Sequence, residues 1–528
     1  MRVLVATGLA LVAIVTAVVL GNRARRWNDD LAVASPPIAR DTSEGEDPGT
    51  PRMTGRVVLI VIDGLGAGES HLPYLEELRG RGVAATVQVP YPTISRPNYV
   101  TILTGVPPRD SGVRANRVAA PVAVDTVMDR VRAAGLRVAT ASDYGSLATL
   151  FLRNTPSLSA VEWIDRGARL APRPPVGWPF DDARRAESLE ELGPIIAELA
   201  AGDAAFVPVL VLDVDRAGHA EGVGERYRAA TAAVDRMLRG AFAGIDLARD
   251  TVIVTADHGH VAPGGHGGDE PEVSSVPLIL AGRGIVPGAT ARDARLIDLA
   301  PTVAALLGVP APHHAEGRAL VDLLALPPDA AARRAAVDAA RGRRLTAITE
   351  AARAEAAAPS PRRLIALAVG IAVTAAFALA ARRRRAIALG PGSLTGAIGL
   401  GGMLLAIAII TRGRISPSYV PSLARAMQLG ALGAICAIAL QVAVSRRVLR
   451  RAPDRLASAG GLAVVGLGGA LAAVTAVRAW FSPPLLDVPP PFWMVAVPAL
   501  DLAAATCALA VAITLVIAVL RRGSSGRP

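Results

Sequence analysis

Hydrophobic and polar residues divide the chain into a region of short alternating runs and a region of long apolar ones. Short β-branched runs alternate with helix-length stretches at 57–63, 137–143, 206–215, 251–257 and 276–282. Runs of this kind are typical of buried parallel strands. The pattern therefore predicts an α/β domain with a doubly wound, mostly parallel sheet, whose functional residues gather at the carboxyl ends of the strands.

Apolar stretches long enough to cross a bilayer lie at the N-terminus and after residue 360. Residues 3–21 lack a convincing small-x-small cleavage site, so we expect 1–26 to be a retained signal anchor. Residues 363–522 are expected to form a transmembrane helical domain of five spans, which lie near 364–381, 386–411, 426–444, 456–477 and 492–520. Asp501 in the last span is either functional or hydrated near the outer interface.

Composition sets the remaining boundaries. Residues 27–55 are rich in Pro, Asp, Glu, Ser and Thr, which predicts a flexible stalk. The alternating region, 56–330, is the expected catalytic domain. A helical linker at 331–362 joins it to the spans, and residues 523–528 form a short cytoplasmic tail.

The formal net charge of +11 belongs to the flanks of the apolar runs. From residue 361 onward 18 Arg oppose three acids, whereas the rest has 38 basic and 42 acidic residues, so we expect no nucleic-acid binding. Arginine clusters at 382–385, 446–451 and 521–522 follow alternate spans, which places them on the cytoplasmic face. The arginines at 23–26 oppose this assignment. We expect a multi-pass plasma-membrane protein with an extracytoplasmic catalytic domain.

Three acidic residues are predicted to close apolar strands. Asp63, Asp215 and Asp257 each follow a buried run, where a carboxylate is costly to desolvate unless a cation or hydrogen bonds receive it. Asp213 stands one strand period before Asp215 and is expected to face the same side, so it is an alternative ligand or an outer partner.

Histidines accompany two of these acids. His219 follows Asp215 by four residues, His258 directly follows Asp257, and His266 lies on a glycine-rich loop. His260 is a less favoured ligand. Mixed carboxylate and imidazole sets suit Zn²⁺, with Mn²⁺ as the second choice.

The order of these motifs resembles the alkaline phosphatase superfamily, in particular its type I phosphodiesterase and nucleotide pyrophosphatase branch. IVIDGLG resembles the first metal segment, and YPTISRPNYVTILTG resembles the nucleophile segment. That segment maps the nucleophile onto Ser95, with Thr93 as the nearest alternative. Asn116 in SGVRANR falls where the family binds a phosphoryl oxygen. DVDRAGH and TADHG resemble the remaining metal segments, and LIDLAPTVAALLGVPAP resembles the closing helix.

The resemblance implies two divalent metal ions. One site would consist of Asp63, Ser95, Asp257 and His258, and the other of Asp215, His219 and His266. Such an arrangement is chemically reasonable because a cation lowers the pKa of a serine hydroxyl, and two cations stabilise the entering and leaving oxygens. Asn116 would donate a hydrogen bond to a non-bridging oxygen.

Three functions follow as expectations. The first is a metal-dependent phosphodiesterase or phosphohydrolase that acts outside the membrane on a phosphate ester, which could be lipid-linked, through a phospho-serine intermediate. The second is a transferase that passes the group to a lipid or glycan hydroxyl, because GGHGGDEP and the multi-span C-terminus resemble GPI-type phosphoethanolamine transferases. Tyr99 stands where sulfatases have Arg, which counts against a sulfatase. The third is a non-catalytic scaffold or lipid-handling protein.

Overall fold

The computed structural model forms two compact units. One consists mainly of Leu31–Ala356, and the other of Met1–Asp30 with most residues after 356. The structure describes the chain except for residues 32, 34, 43–46, 117–121, 144–180, 421–422, 481–487, 525–528 and most of 358–381.

A seven-stranded mixed sheet lies at the centre of the first unit, in the order β2-β7-β6-β1-β5-β3-β4. Its strands are β1 Val57–Ile62, β2 Gly82–Gln88, β3 Ala139–Ser142, β4 Asp182–Arg185, β5 Phe206–Val211, β6 Thr251–Thr255 and β7 Ser275–Gly282. The pairs from β4 through β6 are parallel, whereas β7 runs antiparallel to both β6 and β2. The predicted α/β class with a mostly parallel sheet is confirmed.

The central strands are apolar along their whole length. Every residue of β1, β5 and β6 is buried, so these strands lack the alternation of a half-exposed sheet. The N-terminal helix of the chain is α1 Arg2–Asp30. The helices that follow in the first unit are α2 Pro73–Gly80, α3 Ser95–Thr104, α4 Pro108–Ser111, α5 Val127–Ala133, α6 Leu189–Ala201, α7 Asp213–Glu221, α8 Glu225–Ala241, α9 Pro271–Ser274, α10 Leu299–Leu307 and α11 Pro328–Ala357.

The run 206–215, predicted as one strand, is a strand in its first part and the start of a helix in its second. Strand β5 ends at Val211, and Asp213 and Asp215 lie in the first turn of α7, where the helix dipole favours acidic side chains. Residues two apart on a helix do not share a face, so the prediction that these two acids point the same way is wrong. Asp213 instead accepts a hydrogen bond from Arg216 at 2.9 Å.

The segment 27–55, for which composition predicts a flexible stalk, makes specific contacts where it is described. Residues Pro37–Arg40 form a 3₁₀ helix with Ile38 buried. The Asp47 carboxylate accepts hydrogen bonds from Arg334 at 2.6 and 2.8 Å and from the Ala311 N–H at 3.0 Å. Arg334 also bonds Asp338 at 2.7 Å. Charged groups on α11 thus hold this segment to the globular unit.

The second unit is helical. After α1 it contains α12 Ile398–Ile410, α13 Leu423–Arg451, α14 Arg455–Trp480 and α15 Pro491–Ser524. Five helical stretches of the described chain are long and apolar enough to cross a membrane, namely 2–27, 391–410, 425–451, 455–478 and 491–521. The span predicted at 364–381 lies mostly outside the described residues.

The acidic residue in the last predicted span has a basic partner. Asp501 is buried, and the Arg478 guanidinium of α14 donates to both of its oxygens, with Nε 3.4 Å from Oδ1. The same guanidinium lies 5.5 Å from the centre of the Trp27 ring. An ion pair therefore compensates the one acidic group in this apolar helix.

The contacts of Asp47 predict a measurable dependence of stability on pH. Burial raises the pKa of this carboxyl, but Arg334 and two backbone N–H groups outweigh burial and lower the pKa below 3.8. Its contribution is therefore present above about pH 4 and is lost as pH falls through the lowered pKa. We expect Asp47→Asn to reduce the free energy of unfolding by about 2 kcal/mol at pH 7, and by less at pH 3, in denaturant titrations.

Asp329→Asn is the matched control for this variant. Asp329 also pairs with an arginine of α11, at 2.7 Å, but both side chains are exposed. Exposed pairs of this kind contribute little, so the control should leave stability unchanged. Equal losses from the two substitutions would contradict the proposed attachment of the segment.

Candidate active site

Two carboxylates meet where neighbouring strands end. Asp63 directly follows β1 and Asp257 follows β6, and these strands pair in parallel. Both side chains are fully buried. The Gly64 N–H donates to Asp257 Oδ1 at 3.2 Å, but Asp63 Oδ1 and Asp257 Oδ2 accept no hydrogen bond from the described residues. Two buried carboxylate oxygens without hydrogen-bond donors are suited to bind a cation.

His258 and Ser95 complete this first group. His258 Nε2 lies 3.3 Å from Asp63 Oδ1 and 3.4 Å from Asp257 Oδ2. Ser95 is the first residue of α3, and its Oγ lies 3.1 Å from the same nitrogen. The structure thus brings together the four residues that the resemblance assigns to one metal site.

Asp215, His219 and His266 form a second group. His219 Nε2 lies 3.4 Å from Asp215 Oδ1 and 3.1 Å from His266 Nε2, and His266 Nε2 lies 3.8 Å from Asp215 Oδ1. Tetrahedral ligands about 2.0 to 2.1 Å from one ion stand roughly 3.4 Å apart, so this triangle fits a single divalent cation. His219 is the most exposed of the three, which opens this group to solvent.

The two groups share a boundary. The His258 and His266 rings stack with centroids 3.7 Å apart. His260 lies beside both groups, with its Nε2 3.0 Å from Asp215 Oδ1. The ring of His260 fits because Gly218 has no side chain, since a Cβ there would lie 2.7 Å from Nε2. The sequence did not reveal this contact of His260 with Asp215, and the glycine in DVDRAGH was the available signal for it.

Burial sets the protonation of these groups. Desolvation, followed by the neighbouring carboxylates, raises the pKa of Asp63 and Asp257 well above 3.8. Desolvation lowers the pKa of His258 well below 6.5 and that of His266 to about 4. Neutral imidazoles are available as ligands at pH 7, whereas the two carboxylates can ionise together only with a compensating positive charge.

Asp215 differs from the other two acids. Burial raises its pKa, but the hydrogen bond from His260 and the nearby imidazoles outweigh that effect and lower it. Asp215 therefore ionises more readily than Asp63 and Asp257, whose pKa values are raised.

Thr93 and Ser95, the two candidate nucleophiles, have different partners. The Thr93 hydroxyl donates to the Gly268 carbonyl and accepts from the Gly267 N–H, both at 2.9 Å, and the Thr93 carbonyl contacts His266 Nδ1 at 2.8 Å. Thr93 thus holds the loop that carries His266. The Ser95 hydroxyl instead faces the first group.

Asn116 lies close to the nucleophile candidate. Its Oδ1 accepts a hydrogen bond at 3.0 Å from the N–H of Arg96, the residue after Ser95. Because the carboxamide oxygen is used in this way, the Nδ2 end is the one that can donate to a phosphoryl oxygen.

Tyr99 has a role that the sequence did not reveal. It lies one turn after Ser95 on α3, and its buried hydroxyl donates to Asp63 Oδ2. A tyrosine that holds a candidate ligand fixes the direction of the remaining carboxylate oxygen, as outer partners of metal ligands commonly do. The i, i+4 spacing on a helix that begins with Ser95 was the only available signal.

The contacts of Thr93 predict an effect on metal binding. We expect Thr93→Val to weaken divalent-metal binding about tenfold, because it releases the loop that carries His266 while preserving side-chain volume. Thr101→Val is the control, since that buried hydroxyl bonds only within α3, to Pro97 at 3.1 Å. Titration of each variant against a competing chelator measures the effect. Equal affinities in the two variants would contradict the role of Thr93.

The globular unit is similar to several known proteins. Residues 57–263 match the family model of type I phosphodiesterase / nucleotide pyrophosphatase. The 2,3-bisphosphoglycerate-independent phosphoglycerate mutase of Roseobacter denitrificans is 31% identical over 209 residues, which are 38% of this chain and 40% of the mutase. The GPI ethanolamine phosphate transferase 3 catalytic subunit of Mus musculus is 25% identical over 312 residues, which are 52% of this chain and 26% of the transferase.

Among solved structures, murine ectonucleotide pyrophosphatase / phosphodiesterase 5 is similar over 48% of this chain and 96% of its own, with 15% identity and a TM-score of 0.38. The chain spans less than half the length of this mutase and of this transferase. The family match confirms the resemblance carried by the motifs: the globular unit is similar to the alkaline phosphatase superfamily, through its type I phosphodiesterase / nucleotide pyrophosphatase branch.

Proposed function

We propose that this protein is a divalent-metal-dependent phosphoryl-transfer enzyme with Ser95 as its nucleophile. The supporting observation is the position of the Ser95 hydroxyl, at the first residue of α3 and 3.1 Å from His258 Nε2, beside two buried carboxylates. A serine in an ordinary turn would face water or its own backbone. This hydroxyl faces a cluster of ligand-type groups.

The residues present fit two divalent ions. Asp63, Asp257, His258 and Ser95 would hold one, and Asp215, His219 and His266 the other. Oxygen and nitrogen donors in these proportions favour Zn²⁺, with Mn²⁺ second. When bound, such ions lower the pKa of the nucleophile and neutralise charge on the phosphoryl group.

The chain's own groups position the reaction. Ser95 Oγ releases its proton to solvent as it attacks phosphorus, a phospho-serine forms, and the leaving oxygen departs with its electron pair and takes up a proton from solvent. Asn116 Nδ2 donates to a non-bridging oxygen as negative charge develops there. Water then attacks the phospho-serine and restores the Ser95 hydroxyl.

We propose a phosphodiesterase or phosphohydrolase reaction, with the globular unit outside the plasma membrane and the apolar helices embedded in it. The substrate is a phosphate ester, which could be lipid-linked. A second candidate is transfer to a lipid or glycan hydroxyl instead of water. The similarity to the GPI ethanolamine phosphate transferase, which extends over 52% of this chain, favours that alternative.

Loss of the Ser95 hydroxyl tests the proposed nucleophile. We expect Ser95→Ala to reduce turnover of an aryl phosphodiester at least about a thousandfold, because no attacking oxygen remains, with metal content unchanged. Ser188→Ala, at the N-cap of α6, is the control and should retain turnover. Phosphorylation of residue 95 after rapid acid quench is the direct measurement. Undiminished turnover in Ser95→Ala would remove this residue from the mechanism.

Dependence on an acceptor separates the two reactions. The detergent-solubilised protein is given phosphatidylethanolamine as donor, with and without a glycan or lipid alcohol, and released and transferred head groups are quantified. Release at the same rate without an acceptor supports the hydrolase. Product that forms only with the acceptor supports the transferase, and Ser95→Ala should abolish either product.

A further inference from the structure

A polar cavity lies within the helical unit. Its volume is about 520 Å³, which is in the size range of small-molecule sites. Its walls come from the beginning of α1, the end of α13, the turn into α14 and the end of α15. Five arginines line it: Arg2, Arg446, Arg450, Arg455 and Arg521.

The cavity wall contains a single described acidic residue, and both of its carboxylate oxygens already have partners. Asp454 is the one acidic residue that the described chain contributes to the wall. Its Oδ1 accepts from the Ala457 N–H at 3.0 Å, which caps the start of α14, and its Oδ2 pairs with Arg2. Five arginines therefore face one aspartate, and the cavity carries a net positive charge.

Membrane orientation and helix dipoles explain arginines at these helix ends in part. Arginine flanks a span on the cytoplasmic side and stabilises the C-terminus of a helix. Neither effect requires arginines from four separate helix ends to line one cavity. The arginine cluster at 382–385 also lies near this end of the unit, since Arg2 Nε donates to the Arg385 carbonyl at 3.1 Å.

The wall also has an apolar component. Leu449, Leu456 and Ile517 line the same cavity as the arginines. Charged guanidinium groups above apolar side chains at the end of a helical bundle match a phosphate that is attached to an apolar chain. Arginine suits phosphate better than a point charge does, because its planar fork donates two parallel hydrogen bonds.

We propose that this cavity is a phosphate-binding site, separate from the Ser95 site and independent of the function proposed for it. The ligand is a phosphate anion, either the head group of an anionic phospholipid or a soluble phosphate. Arg446 and Arg450, one helical turn apart on α13, are its central contacts. The neighbouring residues Arg447 and Arg451 have the same charge and are not among the residues that line the cavity.

The two pairs of arginines on α13, one that lines the cavity and one that does not, allow a matched experiment. The full-length protein is placed in nanodiscs of phosphatidylcholine with a minor fraction of phosphatidylglycerol, and retained phosphatidylglycerol is counted by native mass spectrometry after release. We expect R446Q/R450Q to reduce retention by roughly an order of magnitude, and R447Q/R451Q to keep it close to the unmodified protein. R446K/R450K, which keeps the charge but loses the planar fork, should fall between them.

A parallel arm uses inorganic phosphate, with binding followed by the melting temperature of the protein in detergent. Dependence on Arg446 and Arg450 in the lipid arm identifies a phospholipid ligand, and the same dependence in the phosphate arm alone identifies a soluble one. Melting without ligand shows whether each variant is folded. Equal losses from both double variants, or no binding in either arm, would overturn the proposal.

Discussion

The repulsion between Asp63 and Asp257 is the constraint around which the globular unit is arranged. Both are fully buried, and each has one oxygen without a hydrogen-bond donor in the described structure. The sheet brings them together because β1 and β6 are parallel neighbours that end at the same edge. A cation is the simplest compensation for two such charges, and the surrounding imidazoles are neutral and able to share it.

The supporting residues restrict the directions of the ligands instead of adding further charge. Tyr99 holds one oxygen of Asp63, Thr93 holds the loop of His266, and Gly218 leaves the space that His260 fills. Each acts through a hydrogen bond or a missing side chain. A cluster of carboxylates and imidazoles this dense is poorly stabilised by its own packing, so the surrounding contacts must fix its geometry.

Charged residues of the helical unit occur in two different settings. Asp501 lies within an apolar helix, and Arg478 neutralises it directly. Five arginines at helix ends instead line one cavity, together with a single aspartate of the described chain. The first arrangement neutralises a buried charge, whereas the second concentrates positive charge around a cavity.

The sequence by itself determined the elements and the chemistry: buried runs that end on acids, histidines at fixed spacing, and apolar helices flanked by arginine. These are local properties, set by periodicity and composition. It could not determine that β5 stops at Val211, that Tyr99 reaches Asp63, or that Asp47 bonds Arg334 nearly 300 residues away. Only the tertiary structure decided these features. The side-chain contacts join residues that are distant in the chain, and each of these side chains could equally well have bonded another partner.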